Sequence, residues 1–235
     1  MNKKTTKRIS SNLHLPPAKK RYSDQTEYYI DYLKIQKKSV NNKFSILGQH
    51  HKHLNDFIQK EILALPKGAT VLDAGCGLST WVTPQIRKKY DITGVDGEPD
   101  SIEACKKIYK GEKYFVADLY NLKMKPNQFD AVVMREVIEH FITPEKAVNE
   151  IYKVLKKGGI FVLTTPNYTS PLLHVIEHTY NRFFGGPCKP YLPDVHPSKF
   201  TPTTLRNVLS KKFEVHELQL IDLKISMGCI AIKKK

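Results

Sequence analysis

The stretch Val71-Leu72-Asp73-Ala74-Gly75-Cys76-Gly77 does most to limit what this chain can become. A short apolar run ends on an acid and drops at once into a glycine turn. Glycine lets a backbone bend sharply and approach a ligand closely. In open α/β sheets such turns sit at the carboxyl ends of strands, where ligands bind. From Thr70 onward, short apolar runs alternate with helical stretches, the signature of a parallel sheet with crossover helices.

Strands are expected at 70–73, 91–95, 114–117, 131–134 and 160–164, then at 214–221 and 226–232. The last two lie too close together for a helical crossover and should pair antiparallel. The expected fold is therefore α/β: a Rossmann-like, seven-stranded, mostly parallel sheet with an antiparallel last strand and helices on both faces. Thr143-Pro144 and Thr201-Pro202 read as helix starts, with proline at the first helical position. Gly158-Gly159 reads as the end of the first of these helices, which carries Ala147, Ile151, Val154 and Leu155. Helices are also expected at 25–38 and 49–64, the second with His50, His51 and His53 on its surface.

A chain of 235 residues suits one core. The reading is a disordered basic leader at 1–23 and a single domain over 24–235, with a cap insertion at about 167–200. No apolar run approaches the roughly 18 residues of a membrane span, so a soluble, cytoplasmic protein is expected, with peripheral membrane contact left open. Cys76, Cys105, Cys188 and Cys229 are scattered singly and read as reduced thiols. The net charge of +15 is concentrated at the ends: setting aside seven basic residues before Asp24 and Lys233, Lys234 and Lys235 leaves 28 basic against 23 acidic residues, a net of +5. The body is only mildly basic, which weakens the case for a nucleic-acid surface.

A dinucleotide-binding turn would continue with a third small residue, but Leu78-Ser79-Thr80 follows Gly75-x-Gly77. Over about 67–233 the residues resemble instead the class I S-adenosylmethionine (SAM)-dependent methyltransferases. That resemblance implies a fold, a cofactor and an activity. It makes Asp73, Gly75, Cys76 and Gly77 a cofactor loop, Asp96 with Gly97 the ribose site, and Asp118 with Leu119 the adenine side. Arg135 is the remaining implied cofactor neighbour. Carboxylates suit those places because they accept from ribose hydroxyls and from an exocyclic amine.

Val-Ile-Glu-His occurs twice, at 137–140 and 175–178. The second copy, with His174, has a zinc-protease spacing. Its helical wheel nevertheless gathers Leu172, Leu173, Val175, Ile176, Tyr180, Phe183 and Phe184 on one side, with His174 and His178 opposite. No third ligand stands nearby, so an amphipathic lid helix over 171–184 with solvent-facing histidines is expected, hinged at Gly185-Gly186.

The first copy gives Glu136, Glu139 and His140 at i, i+3 and i+4, on one side of a helix if they are helical, with Ile138, Phe141 and Ile142 turned to the core. They follow an expected strand at the carboxyl edge. Two carboxylates and an imidazole there could take a proton from an acceptor or hold Mg2+ or another divalent cation. The acids would equally suit a helix N-terminus. Glu-x-x-Glu-His at this place resembles both the ubiquinone-biosynthesis O-methyltransferases and the small-RNA 3′-end 2′-O-methyltransferases. Both branches imply metal ligands at Glu136, Glu139 and His140, with His196 as a second histidine. The "SKFTPTTL" that follows His196-Pro197 fits the ubiquinone branch; in the RNA branch the histidine directly precedes Lys-Phe.

The implied catalytic residues are thus His140, Glu136 and Glu139, and the implied reaction is O-methylation of a small-molecule or lipid-linked hydroxyl. RNA 2′-O-methylation and a non-catalytic SAM-fold binding protein are the alternatives.

Overall fold

Residues 46–176 and 196–234 are described in the computed structural model. The leader at 1–23, the helix expected at 25–38, and 177–195 of the cap, with His178, Gly185, Gly186 and Cys188, lie outside the described residues. Seven strands, β1 (Thr70–Ala74), β2 (Asp91–Asp96), β3 (Lys113–Val116), β4 (Phe129–Arg135), β5 (Leu155–Pro166), β6 (Glu214–Ile221) and β7 (Ser226–Ile232), form one sheet. Their order is β3-β2-β1-β4-β5-β7-β6. The pairs among β1 to β5 are parallel, and β7 runs against both β5 and β6. This is the architecture expected.

Helices cover both faces because neighbouring strand residues point to opposite sides. Leu72, Val132, Met134, Phe161, Leu163 and Cys229 pack with Val148, Ile151, Leu205 and Leu209. Those partners come from α4 (Pro144–Val154) and α6 (Pro202–Ser210). Val71, Ala131, Val133, Val162 and Ile230 face the other way, onto Phe57, Ile58, Ile62 and Ile86. These belong to α1 (Ile46–Leu63) and α2 (Pro84–Lys89), while α3 (Pro99–Ile108) completes the crossover from β2 to β3. Thr201 opens α6 through a reciprocal cap, its hydroxyl accepting from Thr204 N at 3.1 Å while the Thr204 hydroxyl accepts from Thr201 N at 2.8 Å.

Four local expectations are corrected. Gly158-Gly159 does not end α4. That helix stops at Val154, and the glycines lie inside β5, where Gly158 N donates to Lys233 O at 2.8 Å. Lys233 is no solvated tail residue: it is 7% exposed, and its Nζ donates to Tyr152 O at 2.6 Å, Leu155 O at 2.7 Å and Asn127 Oδ1 at 3.0 Å. A lysine whose stem is buried can satisfy its ammonium with helix-end carbonyls, which charge counting does not reveal.

The histidines of α1 are not all at its surface: His53 is exposed as expected, but His50 is half-buried. Nδ1 of His50 and of His53 lie 2.5 and 2.8 Å from the Asp222 carboxylate, and His51 is buried. Finally, Ile142 is turned away from the core, 82% exposed. The helix that would have turned it inward is a single 3-10 turn, Ile138–His140. Among the described residues no helix is long and apolar enough to cross a membrane.

Candidate functional site

Four strand ends meet at one edge of the sheet. The strand order reverses between β1 and β4, which opens a crevice outside their carboxyl ends. The turn after β1 fills one side of it. Gly75 N and Cys76 N both donate to Val95 O, at 2.8 and 2.9 Å. Gly75 and Gly77 have left-handed φ of 73° and 49°, which glycine adopts without steric cost. A Cβ on Gly75 would fall 2.7 Å from both methyls of Val137, whereas one on Gly77 would meet nothing within 4 Å. Gly75 therefore admits the chain after β4, and Gly77 leaves room for a ligand.

The acids beside this turn do different work. Asp73 is 1% exposed and accepts from Ser79 Oγ at 2.6 Å, so it braces the turn from beneath. Burial pushes its carboxyl up to about 6, against the donation from Ser79 and Trp81. Asp96 ends β2 beside this turn: Oδ2 accepts from Gly77 N at 2.8 Å and Oδ1 from Glu98 N at 2.9 Å. Burial raises its pKa, while the N–H groups of Glu98, Gly77 and Gly97, and the nearby His140, favour its ionised form. Asp118 lies just beyond β3, exposed, with Oδ1 accepting from Tyr120 N at 2.8 Å. Leu119 and Cys76 are buried, the first in the core beside Leu122, the second against Cys105. Arg135, at the end of β4, donates from Nη2 to Nδ1 of His51 on α1. Burial first, and then the Arg135 and His50 charges, hold His51 well below its usual range, so it is neutral.

The other side of the crevice is built from the loop after β4 and the loop after β5. Glu136 has φ 53°, a left-handed conformation that a side chain rarely takes, and its N–H donates to Thr164 O at 3.0 Å. Glu139, His140 and His196 each present a ligating atom within 4.8 Å of the others. Glu136 is not in that group. The structure thus gathers three of the four expected ligands.

Electrostatics fits a shared role. Glu139 is fully buried, with Oε2 accepting from Thr165 Oγ1 at 2.9 Å and Oε1 left without a hydrogen-bond partner among the described residues. Burial pushes its carboxyl up to about 7. Burial and the Glu139 charge push Glu136 to about 7 as well. His196 is 2% exposed, and burial, with the His140 and Lys199 charges, lowers it to about 3. Its ring is 4.8 Å from that of the exposed His140. A neutral imidazole, a second imidazole and a desolvated carboxylate make a donor set that suits a borderline cation such as Zn2+ or Mn2+ better than Mg2+.

Sequence reasoning missed Tyr168, whose Oη is 2.6 Å from His196 Nδ1, and Thr165, which holds Glu139. Both lie at the end of β5, and a polar run directly after an apolar strand, "TTPNYTS", is the signal that could have found them. On α5 (Pro171–Val175), Leu173 is buried, while His174 is exposed as expected.

Residues 72–163 match a family model described as "Methyltransferase domain". The chain is 28% identical over 137 residues to the tRNA (carboxymethyluridine(34)-5-O)-methyltransferase of Arabidopsis thaliana, covering 55% of this chain and 33% of that protein. It is 34% identical over 107 residues to the ubiquinone biosynthesis O-methyltransferase of Pelagibacter ubique, covering 44% of each. The chain thus spans less than half the length of both relatives. A Haloferax volcanii putative methyltransferase, solved in complex with the Trm112 methyltransferase activator, has the same fold, with a TM-score of 0.66 at 16% identity over 92% of this chain and 100% of that one.

Proposed function

We propose that this chain, which carries a domain of the class I SAM-dependent methyltransferase superfamily, moves a methyl group from SAM to a hydroxyl oxygen of a small-molecule or lipid-linked acceptor. The carrying observation is the convergence of Glu139, His140 and His196 within 4.8 Å. His140 also links that group to the cofactor side, since its charge acts on Asp96.

The turn around Gly77 and the Asp96 carboxylate fit the cofactor: open space beside a glycine, edged by an acid already oriented by two backbone N–H groups. SAM, held by the turn around Gly77 and by Asp96, would supply the methyl for the acceptor oxygen and leave as a neutral thioether. The acceptor's proton must then go to the protein. Glu139, with a carboxyl pushed to about 7, is matched to receive it near neutral pH, directly or through His140. A divalent cation held by Glu139, His140 and His196 would replace that role: it would keep Glu139 ionised as a ligand and supply Lewis acidity that makes the hydroxyl easier to ionise. The strongly lowered His196 suits ligation and not proton uptake. Holding the oxygen in line is the other large contribution, and Glu136, locked by its left-handed backbone, helps define that wall.

Exposed apolar side chains support an apolar acceptor. Ile142, two residues beyond His140, is 82% exposed, and Val175 on α5 is 54% exposed. A second reading, an oxygen acceptor carried on RNA, is favoured by the likeness to the Arabidopsis tRNA (carboxymethyluridine(34)-5-O)-methyltransferase.

The test is transfer of labelled methyl from SAM into a cell extract, separated into organic-soluble, small aqueous and RNA fractions, with and without chelator. Label in the organic-soluble fraction that falls on chelation supports the proposal in full. Label in RNA replaces the acceptor class, and label unaffected by chelation removes the metal.

A further inference from the structure

We propose that Asp222 is a positioning residue: from the turn between β6 and β7 it clasps the start of α1, and so holds His51 against Arg135 on the cofactor side of the crevice. The inference rests on the reading of that crevice as the SAM site.

The two parts of α1 are fastened differently. Leu54, Phe57, Ile58 and Ile62 are buried, and the last three pack on the sheet. Before Leu54, residues 49–53 read Gln, His, His, Lys and His, so apolar burial cannot fasten that end. What holds it is imidazole. Nδ1 of His50 and Nδ1 of His53 reach the two oxygens of Asp222, at 2.5 and 2.8 Å, and Nδ1 of His51 meets Arg135 Nη2. A guanidinium only donates and an ionised carboxylate only accepts, which settles the direction of all three bonds. Burial alone would raise the Asp222 pKa, but the hydrogen bonds and charges of His50 and His53 outweigh it and hold the carboxyl below its usual range. The Asp222 side chain is 9% exposed, so water competes little for these bonds.

The turn that carries Asp222 is itself strained. Asp222, Leu223 and Lys224 stand in succession at φ of 50°, 55° and 69°, the left-handed region that is costly for a residue with a Cβ. Such a run persists only where its surroundings over-determine it. Ile225 N donates to Asp222 O at 3.1 Å, Asn167 Nδ2 to Lys224 O at 2.8 Å and Asn167 N to Ile225 O at 2.9 Å. Asn167 is 2% exposed and directly precedes Tyr168, whose hydroxyl lies 2.6 Å from His196 Nδ1. One turn is therefore tied to α1 on the cofactor side and to the loop after β5 on the acceptor side. Without the Asp222 carboxylate the turn has less to offset its strain, and the start of α1 loses the two bonds from His50 and His53. His51 is then no longer held against Arg135.

The test compares full-length wild type, Asp222→Gly and Leu223→Gly by amide hydrogen exchange and by calorimetry with S-adenosylhomocysteine. Both substitutions relieve one left-handed residue, but only the first removes the carboxylate. Asp222→Gly should speed exchange at residues 50–53 by about tenfold or more, leave 57–63 unchanged and weaken S-adenosylhomocysteine binding by about fivefold or more. Leu223→Gly should match wild type in both. His50→Gln combined with His53→Gln releases the clasp from the helix side and should reproduce Asp222→Gly, and it is read in its place if Asp222→Gly does not fold. S-adenosylhomocysteine bound equally by wild type and Asp222→Gly, or exchange at 50–53 unmoved, overturns the inference. An equal loss of affinity in Leu223→Gly would trace the effect to the shape of the turn and overturn it as well. Wild type that binds no S-adenosylhomocysteine overturns the reading of the crevice, and this inference with it.

Discussion

Gly77 and Asp96 are joined along one side of the crevice by a 2.8 Å bond from backbone N–H to Oδ2, so the turn after β1 and the end of β2 form one edge. The same carboxylate is held at its other oxygen by Glu98 N. An acid oriented this way can take a ribose diol without paying to reorganise. Asp96→Asn keeps the shape and gives up the charge. Hydrogen bonds to charged groups contribute about 1.5–3 kcal/mol, so SAM affinity should fall by at least about tenfold by calorimetry, with little change in melting temperature.

The two glycines of the turn should separate stability from binding. Gly75→Ala drives a Cβ to 2.7 Å from Val137 at a φ of 73°. Overpacking of this kind costs about 1–3 kcal/mol, so the melting temperature should drop clearly, with partial rescue by Val137→Ala. Gly77→Ala meets no atom within 4 Å and bears only the backbone cost, roughly 1–2 kcal/mol. It should lose SAM affinity out of proportion to its stability.

Acidity at the site gives a signed pH dependence. Glu136 ionises near 4.5 in an unfolded chain but only at about 7 in the native protein. The native state therefore binds more protons between those values, so the contribution of this group to stability is full below about 4.5 and lost as pH rises through about 7. Glu136→Gln cannot ionise. In chelator, its melting temperature should gain on wild type as pH is raised from 5 to 8, and a difference flat with pH would refute the assignment. His196, lowered to about 3, acts in the opposite sense toward acid, but it is common to both proteins and cancels.

Lys233 should behave as a structural lysine. Lys233→Met removes three donors and strands the carbonyls of Tyr152 and Leu155. The expected loss is about 1–3 kcal/mol in denaturant unfolding, whereas Lys234→Met, at an exposed position, should change stability by less than about 0.5 kcal/mol.

What could be read from the chain alone follows from what is local. Apolar runs of the right length placed all seven strands, because alternate burial on two helical layers forces that pattern. The glycine turn and Asp96 were legible because a motif and its strand lie side by side in sequence. The Glu136 kink was not: its left-handed φ accompanies the close approach of Val137 to Gly75, far away in the chain, and nothing in "REVIEHF" announces it. His196 was found by resemblance, but its partner Tyr168 stands in another loop, marked in the sequence only by the polar run after β5. Lys233 was misread for a similar reason, since burial of its amine depends on α4 and β5 meeting at the chain's last strand.

Glu139→Gln tests the central claim most directly, with SAM affinity by calorimetry and methyl transfer to the acceptor fraction measured on the same preparation. The account predicts affinity within about twofold of wild type and transfer reduced by about 100-fold or more, because the group lost receives the acceptor's proton and touches no part of the cofactor turn. Transfer kept within about tenfold of wild type, or SAM affinity falling in step with it, would contradict the account.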